Sequence, residues 1–435
     1  METAILAGIA MLLIIFGTLF LGFPIALSIG AGSVVAMLII TPRMDLALLT
    51  SAQRMFTGVN SFALLAIPFF ILAGNIMNNG GIAARLVGCA RLIAGKSPGY
   101  LAQTNIVSNM LFGAVSGSGV AAAAAMGGIL SPLEEAEGYD KNFSAAVNAA
   151  SAPSGMLIPP SNIMIVYAMT AGAVSIAGLF VAGYIPGLLW GLACMAITWY
   201  KAKKLGYVSR VSYSPREALK ILWQGVPSLL MIIIVIGGIL GGFFTPTEGS
   251  AIAVAYSLVL SFIYRSIKVS DLPKILLDTV KITAVVQFMV MVSAIMAFVM
   301  ARTRLPQFIS ENLFGFTDNY IIILLIINII MLIVGCFMDP TPAVLIFTPI
   351  FLPIVMQFGM HPIHFGIMLV VNKCIGTITP PVGPILFTAC RIGDTKFEGI
   401  LKPLWPYFFA VAVVLLLVTF VPSITMFLPR LLNLA

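Results

Sequence analysis

Two apolar segments of the chain are interrupted in the same way, and this repeat limits the folds that the sequence can adopt. The first interruption reads Gly155-Met-Leu-Ile-Pro-Pro160 and the second reads Gly376-Thr-Ile-Thr-Pro-Pro381. Each lies in an apolar run long enough to cross a bilayer, which takes about 20 residues. Because glycine and proline disrupt helices, each run is predicted to form a broken transmembrane helix.

Each interruption follows another apolar run that is itself broken by a polar turn. Ser116-Gly-Ser-Gly119 breaks the earlier run, and Asp339-Pro-Thr-Pro342 breaks the later one. The pieces on either side of the first turn are too short to span a bilayer comfortably. We therefore predict two re-entrant helical hairpins, at 99–132 and 319–357, each followed by a broken helix, at 143–170 and 363–391.

The amino-acid composition indicates that the chain folds in a membrane. Of the 435 residues, 60% are hydrophobic and only 9% are charged, whereas soluble proteins carry about 25% charged residues. The chain is therefore predicted to be an all-α polytopic membrane protein. Its net charge of +8 suits basic cytoplasmic loops and does not require nucleic acid. Its five cysteines form no CxxC pair, so no zinc site or disulfide framework is indicated.

The distribution of basic residues predicts the orientation of the two halves. With the amino terminus outside and both broken helices crossing fully, 17 of the 23 lysines and arginines face the cytoplasm and five face outward. This bias follows the positive-inside rule. The two hairpins then enter from opposite faces, so the halves are inverted repeats, an arrangement typical of secondary transporters. Both termini are predicted to be periplasmic.

The predicted segments follow from these runs. We expect a polar loop at 41–60, a basic interfacial segment at 265–281 before a span at 282–301, and a final span at 404–428. The predicted divisions are N-terminal scaffold helices (1–81), an interfacial arm helix (82–98), the first half of a transport domain (99–173), bridging scaffold helices (174–264), a second-repeat scaffold helix with arms (265–318), the second half of the transport domain (319–391) and a C-terminal scaffold helix (392–435).

Polar residues inside the membrane are candidates for function, because they are costly there. Asp339 is read as the only acid well inside a span. It is either a ligand or coupling group, or an amino-terminal cap for the helix that begins at Pro340. Lys373 is the only cation deep in a span, and it either pairs with Asp339, meets an anionic substrate, or extends its charge to the interface.

Other candidates are weaker, and each has a structural alternative. Ser116 and Ser118 bring hydroxyls to the first turn, or they belong to a helix-packing motif of small residues. Asn148 and Ser154 either line the same cavity or form hydrogen bonds between helices. Arg302 binds a carboxylate near the outer surface or anchors the chain at the interface.

Enzymatic functions find little support. Both histidines, His361 and His364, are expected in a loop, without an HExxH motif. Ser116 has no histidine within a span to act as its base. Asp339 has no second acid with which to form a dyad, and the chain has no phosphate-binding Gly-x-x-x-x-Gly-Lys loop. The protein is therefore predicted not to be an enzyme, and no organic cofactor is expected.

The motifs resemble those of one transporter family over essentially the whole chain. They include Leu111-Phe-Gly-Ala-Val-Ser-Gly-Ser-Gly119, Ala149-Ala-Ser-Ala-Pro-Ser-Gly-Met-Leu-Ile-Pro-Pro-Ser161, Ile67-Pro-Phe-Phe-Ile-Leu-Ala-Gly74, Thr245-Pro-Thr-Glu-Gly249 and Gly335-Cys-Phe-Met-Asp-Pro340. They resemble the large membrane subunit of TRAP (tripartite ATP-independent periplasmic) transporters of the DctM or SiaM type. A more distant similarity is to sodium/dicarboxylate symporters of the same ion-transporter superfamily.

The resemblance implies sodium-coupled uptake of an organic acid across a bacterial inner membrane by an elevator motion. The implied partners are a small membrane subunit of about four helices (DctQ or SiaQ type) and a periplasmic substrate-binding protein. Positions matching the family imply two sodium sites. The first would be formed by Ser116, Ser118, Gly155, Ile158 and Pro160. The second would be formed by Asp339, Thr341, Gly376 and Thr379. The resemblance also marks Ser116, Arg302 and Asp339 as important for transport.

Two other functions stay open at this point. A stand-alone sodium/dicarboxylate symporter would need neither a small subunit nor a binding protein. An intramembrane hydrolase would need Ser116 as its nucleophile. The substrate is not determined by the sequence, because C4-dicarboxylates, sialic acid and sugar or keto acids all suit the family.

Overall fold

The computed structural model describes residues 2–172, 174–207, 213–316, 319–380 and 383–434. All regular structure in these ranges is helical. Eight helices in the described part are long and apolar enough to cross a membrane. The prediction of an all-α polytopic membrane protein is confirmed. Pro381 lies outside the described residues, as do residues 1, 173, 318 and 435, where predicted segments begin or end.

The helices follow one another with short connections, and each half contains long spans beside short, interrupted elements. The first half contains α1 (Glu2–Phe20), α2 (Ile25–Ile40), α3 (Met44–Val59), α4 (Ala66–Asn79), α5 (Ile82–Ala94), α6 (Tyr100–Ser116), α7 (Gly119–Ala136), α8 (Lys141–Ser151), α9 (Ser154–Leu157), α10 (Asn162–Ala171) and α11 (Ile176–Leu205). The second half contains α12 (Pro215–Leu240), α13 (Pro246–Ile263), α14 (Leu272–Thr303), α15 (Leu305–Phe316), α16 (Tyr320–Gly335), α17 (Pro340–Gln357), α18 (Pro362–Gly376), α19 (Pro384–Ile392), α20 (Phe397–Phe420) and α21 (Ser423–Leu431).

Both predicted hairpins and both predicted breaks are present. α6 packs on α7, and α16 packs on α17, so each pair forms a hairpin that turns at the predicted polar residues. The first broken helix consists of α8, α9 and α10, and the second consists of α18 and α19. In each case the helix ends at the Gly-Pro-rich segment, where proline removes an amide donor and blocks the helical backbone.

The broken helices form the most buried part of the molecule. Every residue of α8 from Phe143 to Ser151 is buried, and so is every residue of α18 from Ile363 to Gly376. α18 packs against α16, α17, α11 and α20. Longer helices lie further out, and many apolar side chains on α1, α12 and α14 are exposed. The breaks are thus enclosed by protein, which is where irregular backbone at membrane depth is tolerated.

The expected polar loop at 41–60 is wrong, because α3 occupies Met44–Val59. Its sequence is mixed, and only Ala47 and Ser51 are buried. These small residues lie one turn apart on one face of α3, and α3 packs against α14. Gly58 continues this stripe, since a Cβ there would collide with Ala294 of α14. Tertiary packing therefore stabilises a helix in a segment whose polarity had suggested a loop.

Two other boundaries differ from the predictions. The expected interfacial segment at 265–281 and the span at 282–301 are mostly one continuous helix, α14, of 32 residues. At 1.5 Å per residue such a helix is about 48 Å long and exceeds the hydrocarbon core, so its basic first turns extend beyond it. The final span was expected at 404–428, but the observed helix, α20, begins and ends earlier than that. A separate helix, α21, follows it and packs against α11.

The motif at Thr245 has a structural function at the start of α13. The Thr245 side chain accepts a hydrogen bond from Glu248 N at 3.2 Å, and Glu248 Oε2 accepts one from Thr245 N at 2.7 Å. This is a capping box, which satisfies amides that a helix start leaves free.

Candidate functional site

The first hairpin turns at Ser116, Gly117 and Ser118. Gly117 adopts a left-handed conformation with φ of 61°, which glycine permits without strain. Ser118 caps α7, because its Oγ accepts a hydrogen bond from Ala121 N at 3.3 Å. The Ser116 side chain is buried, and its Oγ lies 3.4 Å from both the amide nitrogen and the carbonyl oxygen of Ser118. Both serine hydroxyls therefore belong to the same turn.

The first helix break lies against this turn. A Cβ added to Gly117 would lie 3.1 Å from Nδ2 of Asn162, the first residue of α10. Deeper in the structure, Gly155 packs on Gly113 of α6, so closely that a Cβ on Gly155 would lie 2.7 Å from the carbonyl carbon of Gly113. Only glycine lets two backbones approach this closely. The turn and the break therefore form one unit.

The first set of predicted sodium ligands belongs to this unit. At Ile158 the backbone leaves the helix and becomes extended, with φ of −86° and ψ of 121°. Pro160 follows within the same buried stretch. Extended backbone here turns carbonyl oxygens away from helical hydrogen bonding, and oxygens are the ligands that hard cations prefer. With Ser116, Ser118 and Gly155, these residues make the candidate first sodium site.

The second hairpin turns at Asp339. Asp339 occupies the position of an amino-terminal cap for α17, with Pro340 in the first turn, but its side chain makes no capping hydrogen bond. The side chain is exposed, and it lies in a cavity between helices. The capping alternative is therefore not realised by the carboxylate. Both carboxylate oxygens remain available to a ligand.

A second glycine pair joins this hairpin to the second break. A Cβ on Gly376, the last residue of α18, would lie 2.6 Å from the carbonyl oxygen of Gly335, the last residue of α16. The pair repeats the contact between Gly113 and Gly155 in the first half. The sequence did not single out Gly113, although its position in the first hairpin corresponds to that of Gly335 in the second.

Both hairpin turns face a single cavity of about 350 Å³. Ser116, Ser118, Asp339 and Thr341 line it together, although they come from opposite halves of the sequence. Asp339 is the only charged residue among the described residues that line it. The other polar lining comes from Asn75, Asn162 and Thr377. Apolar side chains complete it: Ile67, Ile71, Val120, Ala121, Met156, Ile163, Val166, Ile282, Val286, Pro340 and Ile385.

The cavity has two kinds of wall. One wall consists of the hairpins and the broken helices. The opposite wall consists of α4, through Gly74 and Asn75, and of α14, through Ile282 and Val286. The two walls approach each other closely at Gly74, since a Cβ there would lie 3.1 Å from the Cα of Ser116. The cavity thus lies between the interrupted elements and the long outer helices.

Several predicted site residues lie elsewhere. Thr379 Oγ1 donates to Ile375 O at 2.6 Å and lines a separate small cavity with Trp405. Asn148 donates to Ala123 O at 2.9 Å, so it forms the interhelical hydrogen bond that was the structural alternative. Ser154 Oγ donates to Ser151 O at 2.6 Å, which is a local contact. None of the three lines the cavity that contains Asp339.

The predicted cationic residues are also separate from this cavity. Arg302 lies exposed in the last turn of α14, and the residues that line the cavity do not include it. Lys373 is 1% exposed and does not pair with Asp339. Its Nζ instead donates to the carbonyl oxygen of Met331.

Sequence reasoning missed two kinds of residue. Asn75 was not among the predicted site residues, yet it lines the cavity and donates to Thr279 Oγ1 at 2.9 Å. Glu134 was not among the candidates either, but it lies inside α7 and is fully buried, so the first hairpin also contains an acid. An asparagine within an apolar stretch was the available signal for Asn75, whereas the burial of Glu134 depends on the packing of α8 and has no local signal.

Comparison with known proteins identifies relatives along nearly the whole chain. The model of the family described as "Tripartite ATP-independent periplasmic transporter, DctM component" matches residues 12–424. An uncharacterized protein, YgiK, from Salmonella typhimurium is 50% identical, and the match covers 97% of each chain. The isethionate TRAP transporter permease protein DctMQ from Oleidesulfovibrio alaskensis is 40% identical over 94% of this chain and 64% of its own length.

The fold has a solved counterpart at low sequence identity. The crystal structure of the YdaH transporter from Alcanivorax borkumensis superimposes with a TM-score of 0.62. The superposition covers 86% of this chain and 88% of that one, at 16% identity. At this identity the likeness concerns the fold alone.

Proposed function

Because the chain belongs to the DctM component family of tripartite ATP-independent periplasmic transporters, we propose that it is the large membrane subunit of a sodium-coupled uptake system for an organic acid. The observation that carries the proposal is the shared cavity. Hydroxyl oxygens from one hairpin and a carboxylate from the other converge there. Oxygens of this kind suit a sodium ion, and half-helix amino termini suit an anionic substrate.

The position of the cavity supports an elevator mechanism. It lies between the hairpins with their broken helices and the outer helices α4 and α14. In this proposal the former elements move as a transport domain and the latter form a scaffold. The two candidate sodium sites are the sets around Ser116 and around Asp339. Arg302, exposed at the end of α14, attracts the anionic substrate at the outer surface.

The proposed partners follow from the tripartite family. A small membrane subunit of the DctQ or SiaQ type enlarges the scaffold, and a periplasmic binding protein delivers the substrate. The name of the relative DctMQ pairs both membrane components, and this chain covers 64% of that relative's length. The proposed location is a bacterial inner membrane, with both termini in the periplasm. The candidate substrates are C4-dicarboxylates, sialic acid, and sugar or keto acids.

Reconstituted uptake tests this function. The binding protein is first screened against organic acids, and the ligand it binds is then used with the purified membrane complex in proteoliposomes. We expect uptake only when an inward sodium gradient, the small subunit and the binding protein are all present. Uptake that continues without the binding protein and small subunit would favour a stand-alone symporter.

Replacement of Ser116 by alanine is expected to weaken the sodium dependence of uptake. The substitution removes one oxygen at the hairpin turn, and a lost interaction of about 1 kcal/mol raises the half-saturating sodium concentration about fivefold. The measurement is initial uptake as a function of sodium concentration. Ser131→Ala, on α7 of the same hairpin but outside the cavity, is the control. If the sodium titration is unchanged in Ser116→Ala, the hydroxyl has only a packing function.

A further inference from the structure

A second cavity lies further along the same interface between the two walls. Its volume is about 390 Å³, and its lining comes mainly from α3 and α14 on one side and from α10 and α17 on the other. Val166 of α10 lines both cavities. On α14, the lining of the shared cavity ends at Val286, and that of the second cavity runs from Val290 to Ala301. We name it the outer cavity, because in the proposed orientation the carboxyl end of α14 faces the periplasm.

Arg54 is the only charged residue among the described residues that line the outer cavity. It is exposed on α3, and its guanidinium carbon lies 4.0 Å from the ring centroid of Phe298 on α14. No ion pair in the described part of the chain involves Arg54. Stacking on an aromatic ring restrains a guanidinium but occupies none of its five N–H donors. Those donors therefore remain available to a carboxylate, which a guanidinium can bind with two parallel hydrogen bonds.

Ser293 brings an unsatisfied hydroxyl to the same cavity. It lies on α14 with 4% of its surface exposed, and its Oγ has no hydrogen-bond partner among the described residues. Serines inside helices commonly donate to the carbonyl four residues earlier, as Ser33 and Ser51 do in this chain. A buried hydroxyl without a partner is costly, so its position at a cavity wall points to a polar ligand.

Small residues leave room for a ligand beside these two groups. They come from both scaffold helices and line the outer cavity together: Gly58, Ala294, Ala297 and Ala301. The alanines follow one another at three and four residues, so they lie on one face of α14. On the opposite wall, Thr170 Oγ1 donates to Val166 O at 2.8 Å and can still accept a hydrogen bond. The cavity thus combines a cation with neutral hydrogen-bonding groups, as a small organic acid requires.

We propose that the outer cavity is an entry site for the transported organic acid, in which Arg54 binds a carboxylate and Ser293 hydrogen-bonds to another oxygen of the same molecule. The inference rests on the proposed uptake function and adds a binding site to it. Arg54 and Ser293 belong to the scaffold wall, so this site stays in place while the transport domain moves.

The geometry of α14 relates the entry site to the shared cavity. Ser293 lies seven residues beyond Val286, which is about 10 Å along the helix axis. An outward displacement of the transport domain by about this distance would bring the two hairpin turns opposite Arg54 and Ser293. The substrate would then pass from the scaffold to the hairpin turns without leaving the protein.

The two cavities have opposite charges, which gives the entry site a reason to exist. Asp339 is the charged residue of the shared cavity, and its carboxylate repels an anionic substrate until a cation is bound beside it. Arg54 offers the anion an attractive position on the outer side of that barrier. Sodium therefore binds at the hairpin turns first, and the organic acid moves inward from Arg54 afterwards.

Replacement of Arg54 by glutamine tests the entry site. Initial uptake is measured in proteoliposomes against the concentration of the loaded binding protein, with the organic acid that the binding-protein screen identifies. We expect the half-saturating concentration to rise about 10–100-fold, because a charge-assisted contact is lost. The maximal rate should stay near the wild-type value, since the moving elements are unchanged. Arg54→Lys keeps the charge without the planar donors and should recover part of the loss.

Arg43→Gln is the matched control for this substitution. Arg43 precedes the first residue of α3 and pairs with Asp45, outside the outer cavity. Its uptake curve should match that of the wild type. Binding of the unloaded binding protein to the membrane complex is measured in parallel and should be the same for Arg54→Gln and the wild type. Weaker binding of the unloaded protein by Arg54→Gln would overturn the inference, because Arg54 would then recognise that protein rather than the organic acid.

Ser293→Ala provides a second test that does not depend on the folding of the arginine variant. Removal of an unsatisfied buried hydroxyl should leave the thermal unfolding temperature unchanged or raise it. The half-saturating concentration should nevertheless rise about fivefold, because a hydrogen bond to the substrate is lost. A purely structural hydroxyl would not produce this combination.

The outcomes separate the entry site from the proposed function. If the wild type shows sodium-driven uptake and both Arg54→Gln and Ser293→Ala give its uptake curve, the entry site is wrong and the proposed function stands. A wild-type complex without sodium-driven uptake would contradict the proposed function, and the inference would fall with it.

Discussion

Substitution of Asp339 by asparagine is expected to abolish sodium-driven uptake while the complex still assembles. Asp339 is the one charged group among the described residues around the shared cavity. Asparagine keeps nearly the same shape but removes the negative charge that offsets a cation there. Interactions with a charged group contribute about 1.5–3 kcal/mol, which corresponds to about 10–100-fold in affinity. The expected result is uptake close to the background of empty liposomes.

The Asp339→Asn complex is expected to assemble normally, because the Asp339 side chain contributes little to the stability of the fold. It forms no capping hydrogen bond with α17 and no ion pair. Size-exclusion chromatography of the purified complex measures assembly, and initial uptake in proteoliposomes measures function. Asp278→Asn is the matched control, since Asp278 is an exposed acid on α14 away from the cavity. Uptake near the wild-type rate by a well-assembled Asp339→Asn complex would refute the role given to this carboxylate.

The second large effect is expected from Gly155→Ala, which should destabilise the transport domain and stop uptake. The new methyl group would lie 2.7 Å from the carbonyl carbon of Gly113 and 3.1 Å from Asn109 O. Both atoms belong to the backbone of α6, so no side-chain rotation relieves the overlap. Overpacking in a well-packed interior lowers the free energy of unfolding by about 1–3 kcal/mol. A displaced backbone would also move the hairpin turn away from the helix break.

Gly376→Ala should act in the same way in the second half, against the backbone of Gly335. Gly128→Ala provides the control on α7, because a Cβ there meets nothing within 4 Å. That control should be neutral or slightly stabilising, since alanine favours a helix over glycine by about 0.5–1 kcal/mol. Thermal unfolding in detergent compares the three variants. If Gly155→Ala unfolds at the wild-type temperature and transports normally, the close contact is not required.

The elements fixed by local chemistry were predictable from the sequence. Glycine and proline at 155–160 and 376–380 interrupt a helix wherever it packs, because proline lacks an amide donor and glycine lowers helix propensity. The turns at Ser116 and Asp339 were predictable for a similar reason. The scarcity of charge identified the membrane, since a chain with so little polar surface cannot face water on all sides. The family resemblance was confirmed by the match over residues 12–424.

Tertiary packing decided the features that depend on distant residues. α3 packs against α14, where a Cβ on Gly58 would collide with Ala294, and nothing within α3 itself indicates that contact. Thr377 reaches the cavity and Thr379 does not, although both are hydroxyls of the same break. The side on which each residue emerges depends on how the break is packed, and the sequence pattern does not encode it.

The two breaks have similar sequences but different surroundings, and only the structure distinguishes them. The sequence pattern predicts two hairpins and two interrupted helices, with polar groups from both halves inside the protein. That Ser116 and Asp339 share one cavity, and that Lys373 bonds to Met331 rather than to Asp339, is visible only in the folded chain. The physical reason is that helix breaks follow from local backbone preferences, whereas the partners of a buried charge come from segments that meet only when the chain is folded.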